Sequence, residues 1–317
     1  MQHRGRIVWS LLATLLTLMT QGCNEKTEDP VGNAAPPSPS TKPSQVSSDP
    51  THPGRNRNVG VSLPEHNAFF AAMQSTMEET AQANSLTLDI QYADGQTDRQ
   101  TQQVATFLQN KVDAILICPV DPQKSAAALQ KANAAHVPIF TVHQRALQGE
   151  VAAHIGVDEE LGGKLAARKI AEMLKEKGNV LLQEVPNDSN KDQAERAKGF
   201  QEEIAHHPAL RLLHLWETHG QTIDAIFFVN DEAAAQDLSS LAPNKAAPPI
   251  IVGYGGEPNA RAEIKKGQSY KADIGPNPIR MGESAIGALA RSLRGEKTDP
   301  FVKVEPQVID TSSVDKP

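Results

Sequence analysis

The chain has 317 residues, of which 39% are hydrophobic and 22% charged, with a formal net charge of -7. That length suits about two domains of roughly 150 residues each, and an acidic balance without a basic stripe argues against a nucleic-acid partner. Two cysteines, Cys23 and Cys118, exclude a disulfide framework.

In chain order, His3, Arg4 and Arg6 form a basic start, followed by an apolar run of thirteen residues from Ile7 to Met19. The run is shorter than the about 20 residues of a spanning helix and fits the core of a signal peptide. It ends in Thr20-Gln21-Gly22-Cys23. A cysteine after a small residue at that place resembles the lipobox of bacterial lipoproteins, which implies lipidation of Cys23. Thr20 and Gln21 depart from the usual lipobox, and a plain secretory signal containing a cysteine is the alternative. Both readings export the chain. Residues 24–57 hold seven of the 22 prolines and almost no large apolar residue. Such a segment buries too little surface to offset its ordering entropy, so it is expected to be a disordered tether between anchor and globule.

From residue 59 onward, short β-branched runs alternate with helical periodicity. Strands are expected at 59–62, 86–92, 114–117, 138–142 and 152–157, with helices at 67–83, 98–109 (Asp98 as its N-cap) and 125–135. The pattern repeats with helices at 160–177, 191–205, 232–241, 258–266 and 278–293. Strands fall at 179–183, 210–216, 225–229, 250–253 and 270–274, and two more lie near Phe301 and Val308. Continuous apolar strands alternating with helices predict an α/β fold of two doubly wound parallel-sheet lobes joined by a hinge. Only residues 217–224 separate the strands ending at Trp216 and starting at Ala225, fewer than a parallel crossover needs. These two strands therefore run antiparallel, are not neighbours, or have lost the helix that joined them.

Five stretches carry a resemblance to the ribose-binding, type I periplasmic binding proteins. They are Val59-Gly60-Val61-Ser62 through Asn67-Ala68-Phe69-Phe70; residues 112–121 around Cys118-Pro119; His154-Ile155-Gly156-Val157-Asp158 with Leu161-Gly162-Gly163; Glu195 to Phe200; and Phe228-Val229-Asn230-Asp231-Glu232. The resemblance spans about residues 58–313 and implies an N-terminal lobe of 58–157 plus 276–305. Residues 158–275 plus 306–313 would form a C-terminal lobe, shortened after Trp216.

It also implies a ligand held between the lobes at the strand ends, by Asn67, Phe69, Phe70, Cys118, His143, Gln144, Arg196 and Asn230. Phe69 and Phe70 suit the apolar face of a sugar ring, although Phe70 also fits the core. Arg196 offers a rigid donor fork to hydroxyls, or a surface salt bridge with Glu195 or Asp192. As a ligand contact, its replacement by alanine should abolish binding with little loss of fold. Asn67 and Asn230 donate and accept at once, as a hydroxyl requires, or serve as caps. The family's sugar binders place an amide at Cys118, an Asp-Arg pair at His143-Gln144, an Asp at Gly255 and a Gln at Pro276. A changed polar network implies a changed ligand.

No nucleophile elbow, phosphate loop or zinc-protease motif occurs in the sequence, so it reads as a binding protein rather than an enzyme. Gly253-Tyr254-Gly255-Gly256 lacks dinucleotide spacing, and no cofactor is implied. Cys118, His143 and His66 fall near strand ends but make an incomplete metal set, and Cys118 reads better as a small half-buried residue. The expectation is a monomeric, lipid-anchored solute-binding protein that passes a small sugar or polyol to an ABC permease. A membrane sensor using the same module, or a scaffold that no longer binds, is the alternative.

Overall fold

The computed structural model describes residues 56–183, 190–214, 220–237 and 248–316. The signal segment, Cys23 and the tether before residue 56 lie outside it. No helix among the described residues is long and apolar enough to cross a membrane.

Residues Arg57–Leu63 form β1, Leu86–Tyr92 β2, Ala114–Ile117 β3, Ile139–Val142 β4, Ala153–Val157 β5 and Phe301–Val304 β11. They make one sheet in the order β11-β5-β4-β3-β1-β2, parallel throughout. Strand β3 shows why these runs are apolar from end to end. Ala114 and Leu116 face a core with α1 (Ala68–Ala83) and α8 (Pro278–Leu293), whereas Ile115 and Ile117 face α2 (Thr97–Gln109) and α3 (Ala126–Ala134). With helices on both faces, neither set of side chains tolerates polarity.

The second sheet contains β6 (Gly178–Gln183), β7 (Leu210–Leu213), β8 (Ala225–Phe228), β9 (Ile250–Tyr254), β10 (Tyr270–Gly275) and β12 (Gln307–Asp310). Its order is β12-β10-β9-β8-β6-β7, and only β12 runs antiparallel. Helices α4 (Glu159–Leu174) and α5 (Lys191–Ile204) cover one face; α6 (Asp231–Asp237) and α7 (Pro258–Lys266) cover the other. Of the three possibilities for the strands around Trp216, the structure rules out the antiparallel one. Both β7 and β8 pair parallel to β6, on opposite sides of it, and so are not neighbours. Trp216 itself lies outside the described residues, as does the predicted helix beyond Asp237.

Three predicted helix boundaries shift for local reasons. Helix α2 starts at Thr97 behind Gln96, so Asp98 is not its cap but an acid in its first turn, where the helix dipole favours it. Helix α4 begins one residue early, behind Asp158, whose Oδ1 accepts the Leu161 N–H at 3.2 Å. It stops at Leu174 because Lys175 turns left-handed at φ 52°.

Helices α4 and α5 cross unusually closely. A Cβ on Gly163 would lie 2.0 Å from the Arg196 carbonyl oxygen, and one on Gly199 would lie 1.9 Å from that of Glu160. Only glycine allows backbone to meet backbone here. Gly199→Ala should therefore push the helices apart and cost about 1–3 kcal/mol in urea unfolding; a loss below about 0.5 kcal/mol would mean that the crossing gives way freely.

Three connections pass between the sheets: β5 to α4 through Asp158, β10 to α8 through Pro276 and Asn277, and β11 to β12 through Glu305 and Pro306. They are tied to one another. The Asp158 N–H donates to the Val304 carbonyl at 2.8 Å, Lys303 Nζ reaches Asp158 Oδ1 at 3.1 Å, and Gln307 Nε2 donates to the Pro276 carbonyl at 3.1 Å.

Candidate ligand-binding site

Parallel strands place their C-terminal ends along one edge of each sheet, where side chains of successive loops converge. On the first sheet, Asn67 follows β1, Cys118 ends β3, and His143 and Gln144 follow β4. Asn67 caps α1, its Oδ1 accepting the Phe70 N–H at 3.0 Å while its Nδ2 donates to Glu65 Oε1 at 2.7 Å. This cap turns Phe69 and Phe70 towards His143. The Phe69 and Phe70 rings meet edge to face at 5.1 Å, and His143 lies 5.0 Å from Phe69 and 6.2 Å from Phe70. Phe70 is buried in the core with Met73 and Met77, so Phe69, half-buried, is the ring available to a ligand. Beside them His66 packs on Tyr92 at 4.9 Å.

His143 is held in the left-handed region, at φ 63°, with its N–H on the Ile155 carbonyl at 2.9 Å. A non-glycine residue there is uncommon and marks a constrained position. Burial lowers its imidazole to about 4, so the ring is neutral near pH 7 and both donates and accepts. Cys118 is fully buried rather than half-buried. Burial pushes its thiol up to about 12, against the opposing pull of the Gln144 backbone N–H, which leaves an unreactive thiol. The Gln144 side chain is exposed.

On the second sheet Arg196 differs from the sequence expectation. Its fork is already filled: Nε donates to Glu159 Oε2 at 2.8 Å, Nη2 to Glu159 Oε1 at 3.1 Å and Nη1 to the Val229 carbonyl at 2.9 Å. The guanidinium lies 3.9 Å from the centre of the Tyr254 ring, and the Tyr254 hydroxyl donates to Glu159 Oε2 at 2.5 Å. Neither Glu195 nor Asp192 is the partner. Arg196 is thus a buried tie between α5, α4, β8 and β9, and its replacement is not neutral for the fold. Asn230 precedes α6 and its Oδ1 accepts the Ala233 N–H at 2.7 Å.

The structure therefore gathers Phe69, Phe70, Cys118, His143 and Gln144 at one sheet edge, with Asn67 fixing the turn, and sets Arg196 and Asn230 on the other sheet. Glu159 and Tyr254 were missed by the sequence reading. Nothing local marks them, because Glu159 stands 37 residues from Arg196 and Tyr254 stands 95 residues from Glu159. At Gly255, φ is 154° and a Cβ would lie 2.6 Å from Asp231 Oδ2, so the Asp231 carboxylate fills the space that a side chain at 255 would enter. Among the described residues no group of three His, Cys, Asp or Glu side chains could hold a metal ion.

Comparison with known proteins bears on the family and the fold. The family model for the periplasmic binding protein domain matches residues 59–220. The ribose import binding protein of Bacillus subtilis (strain 168) is 30% identical over 261 residues, covering 77% of this chain and 84% of the relative. That of Salmonella typhimurium is 26% identical over 260 residues, covering 77% and 87%. In fold, the chain matches the crystal structure of a periplasmic ribose ABC transporter from Conexibacter woesei with a TM-score of 0.62 at 18% identity, over 82% of this chain and 93% of that one.

Proposed function

The chain belongs to the periplasmic binding proteins, a family of extracytoplasmic solute binders of sugar ABC transporters and not of enzymes, and from that premise we propose that it captures a small, uncharged, sugar-like ligand and hands it to an ABC importer. The observation that carries the ligand class is the first-sheet edge, where Phe69 offers an apolar face beside the neutral, constrained His143. Charge points the same way. The Arg196 guanidinium is matched by Glu159 and His143 is uncharged, so the proposed contacts carry no free cation for an anionic ligand. Asn230 and the Gln144 amide complete the polar contacts from the two lobes. The role of the relatives in import favours delivery to a permease over presentation to a membrane receptor.

The rest of the reading follows the sequence. Cys23 carries the lipid anchor, the segment between it and β1 serves as the tether, and the globule works as a monomer of two lobes, one from β1 to 157 with 276–305 and the other 158–275 with 306–313.

A thermal-melt screen of the protein against pentoses, hexoses, polyols and sugar phosphates tests the ligand. Ligand at a hundred times its Kd stabilises by about 2.7 kcal/mol, a rise of roughly 5–10 °C for a protein of this size. A rise with a neutral sugar or polyol that disappears in His143→Ala is the expected result. A rise with sugar phosphates alone would overturn the uncharged class, and a rise unaffected by His143→Ala would overturn the site.

A further inference from the structure

Behind the turn between β9 and α7 lies a buried acidic pair that ligand binding leaves unused. Asp231 opens α6 and Asp273 sits within β10; Asp273 is fully buried and Asp231 nearly so. Asp231 Oδ1 accepts the Tyr270 hydroxyl at 2.7 Å, and Oδ2 accepts the Glu257 N–H at 3.1 Å. Asp273 Oδ2 accepts the Gly256 N–H at 2.9 Å, whereas its Oδ1 has no partner. The two carboxylates thus accept the N–H groups of successive residues of one turn, Gly256 and Glu257.

Among the described residues no counter-ion relieves this arrangement. The other titratable groups facing it are Glu257 before α7, Glu263 on α7 and Tyr270 on β10. Arg261 on α7 directs its N–H groups to the carbonyls of Gly256, Val314 and Lys316, and Arg196 is held by Glu159 and Val229. Among the described residues no Lys, Arg or His pairs with either carboxylate. Two carboxylates buried at neighbouring N–H groups cannot both ionise without large repulsion.

We propose that Asp273 is held as a neutral acid which donates its proton from Oδ1 to Asp231, and that this shared proton fixes the corner of the second lobe carrying Asn230. A single proton removes the repulsion and satisfies the one orphaned oxygen. It also joins α6, the β9–α7 turn and β10, the three elements around Gly255. Burial, then the Asp231 charge, push the Asp273 carboxyl well above the usual carboxylate range, in keeping with a neutral acid. Asp273 is thus a positioning residue; its bearing on the ligand rests on the binding reading above, but the proton does not.

The pH dependence has a definite sign. Asp273 is neutral when folded and ionised when unfolded above about pH 4, so folding takes up a proton and stability falls as pH rises from there towards the folded pKa. Asp273→Asn supplies an N–H donor in place of the acid O–H and keeps an oxygen for Gly256. Melts of the full chain from pH 4 to 9, without ligand, should show D273N several degrees above the parent at pH 7.5, with the gap closing towards pH 4. Infrared spectra at pH 7 should show the carbonyl stretch of a protonated carboxylic acid in the parent and not in D273N. A pH-independent gap, a D273N midpoint below the parent at pH 7.5, or a parent without the acid band would each overturn the proposal. Failure to find a ligand would leave these readouts untouched.

Discussion

Replacing Arg196 with alanine should lower the stability of the globule by about 3–5 kcal/mol, the range for breaking a buried ion pair by removing one partner. The Glu159 carboxylate and the Arg196 guanidinium are only 11% and 16% exposed, and their contact is bidentate. Without Arg196, Glu159 keeps, among the described residues, only the Tyr254 hydroxyl, and the Val229 carbonyl loses a charged donor. The expected midpoint fall is about 6–20 °C at roughly 2–4 °C per kcal/mol. Arg196→Met combined with Glu159→Leu should recover much of this, because a neutral pair leaves no buried charge. A single-variant loss below about 1 kcal/mol would place the pair among exposed ion pairs. The result also decides how binding data are read. Loss of ligand in Arg196→Ala would report a loosened second lobe as readily as a lost contact, and the exposed Gln144 is the cleaner probe.

The fold was legible in the sequence because its signals are local. Ile115 to Ile117 read as a strand covered on both faces, and Phe70, Met73, Met77 and Ala81 are spaced for one buried helix face; all are buried where that pattern puts them. The three-way choice left open around Trp216 needed pairing information, since a short connection looks the same whether it joins neighbours or steps past β6. The site was less legible for the same reason. His143 was named, but not the left-handed backbone that constrains it, because nothing in Val142-His143-Gln144 demands positive φ. Arg196 reads in the sequence as a donor fork for a ligand or as the partner of Glu195 or Asp192, because its actual partner, Glu159, sits on another helix, brought within reach by Gly163 and Gly199. Nothing in the sequence joins Asp231 to Asp273. Each alone is an ordinary acid, and only the packing of α6 against β10 makes them a pair.

Acidification from pH 6.5 to 5 should destabilise the protein through two histidines buried in neutral form. His154 is 4% exposed, its Nδ1 lies 2.9 Å from Thr141 Oγ1, and its ring stacks on Phe301 at 5.5 Å. Burial first, then the Arg145 charge and His143, lower it to about 3, and burial lowers His143 to about 4. Both ordinarily titrate near 6.5. The unfolded chain therefore binds more protons than the folded one between these values, and stability is lost as pH falls through that window. At pH 5 each histidine contributes a loss of up to about 2 kcal/mol, from 1.36 kcal/mol per pH unit. His143, half-buried, should reach less of its limit than His154. Most carboxylates titrate below this window, but a neutral Asp273 opposes the slope, because its proton uptake favours folding as pH falls. The slope between pH 6.5 and 5 should therefore steepen in Asp273→Asn and flatten in His154→Asn, read from urea midpoints at each pH. An unchanged slope in His154→Asn would mean that His154 is charged in the folded protein, with water or a carboxylate reaching a ring that the structure places against Thr141 and Phe301.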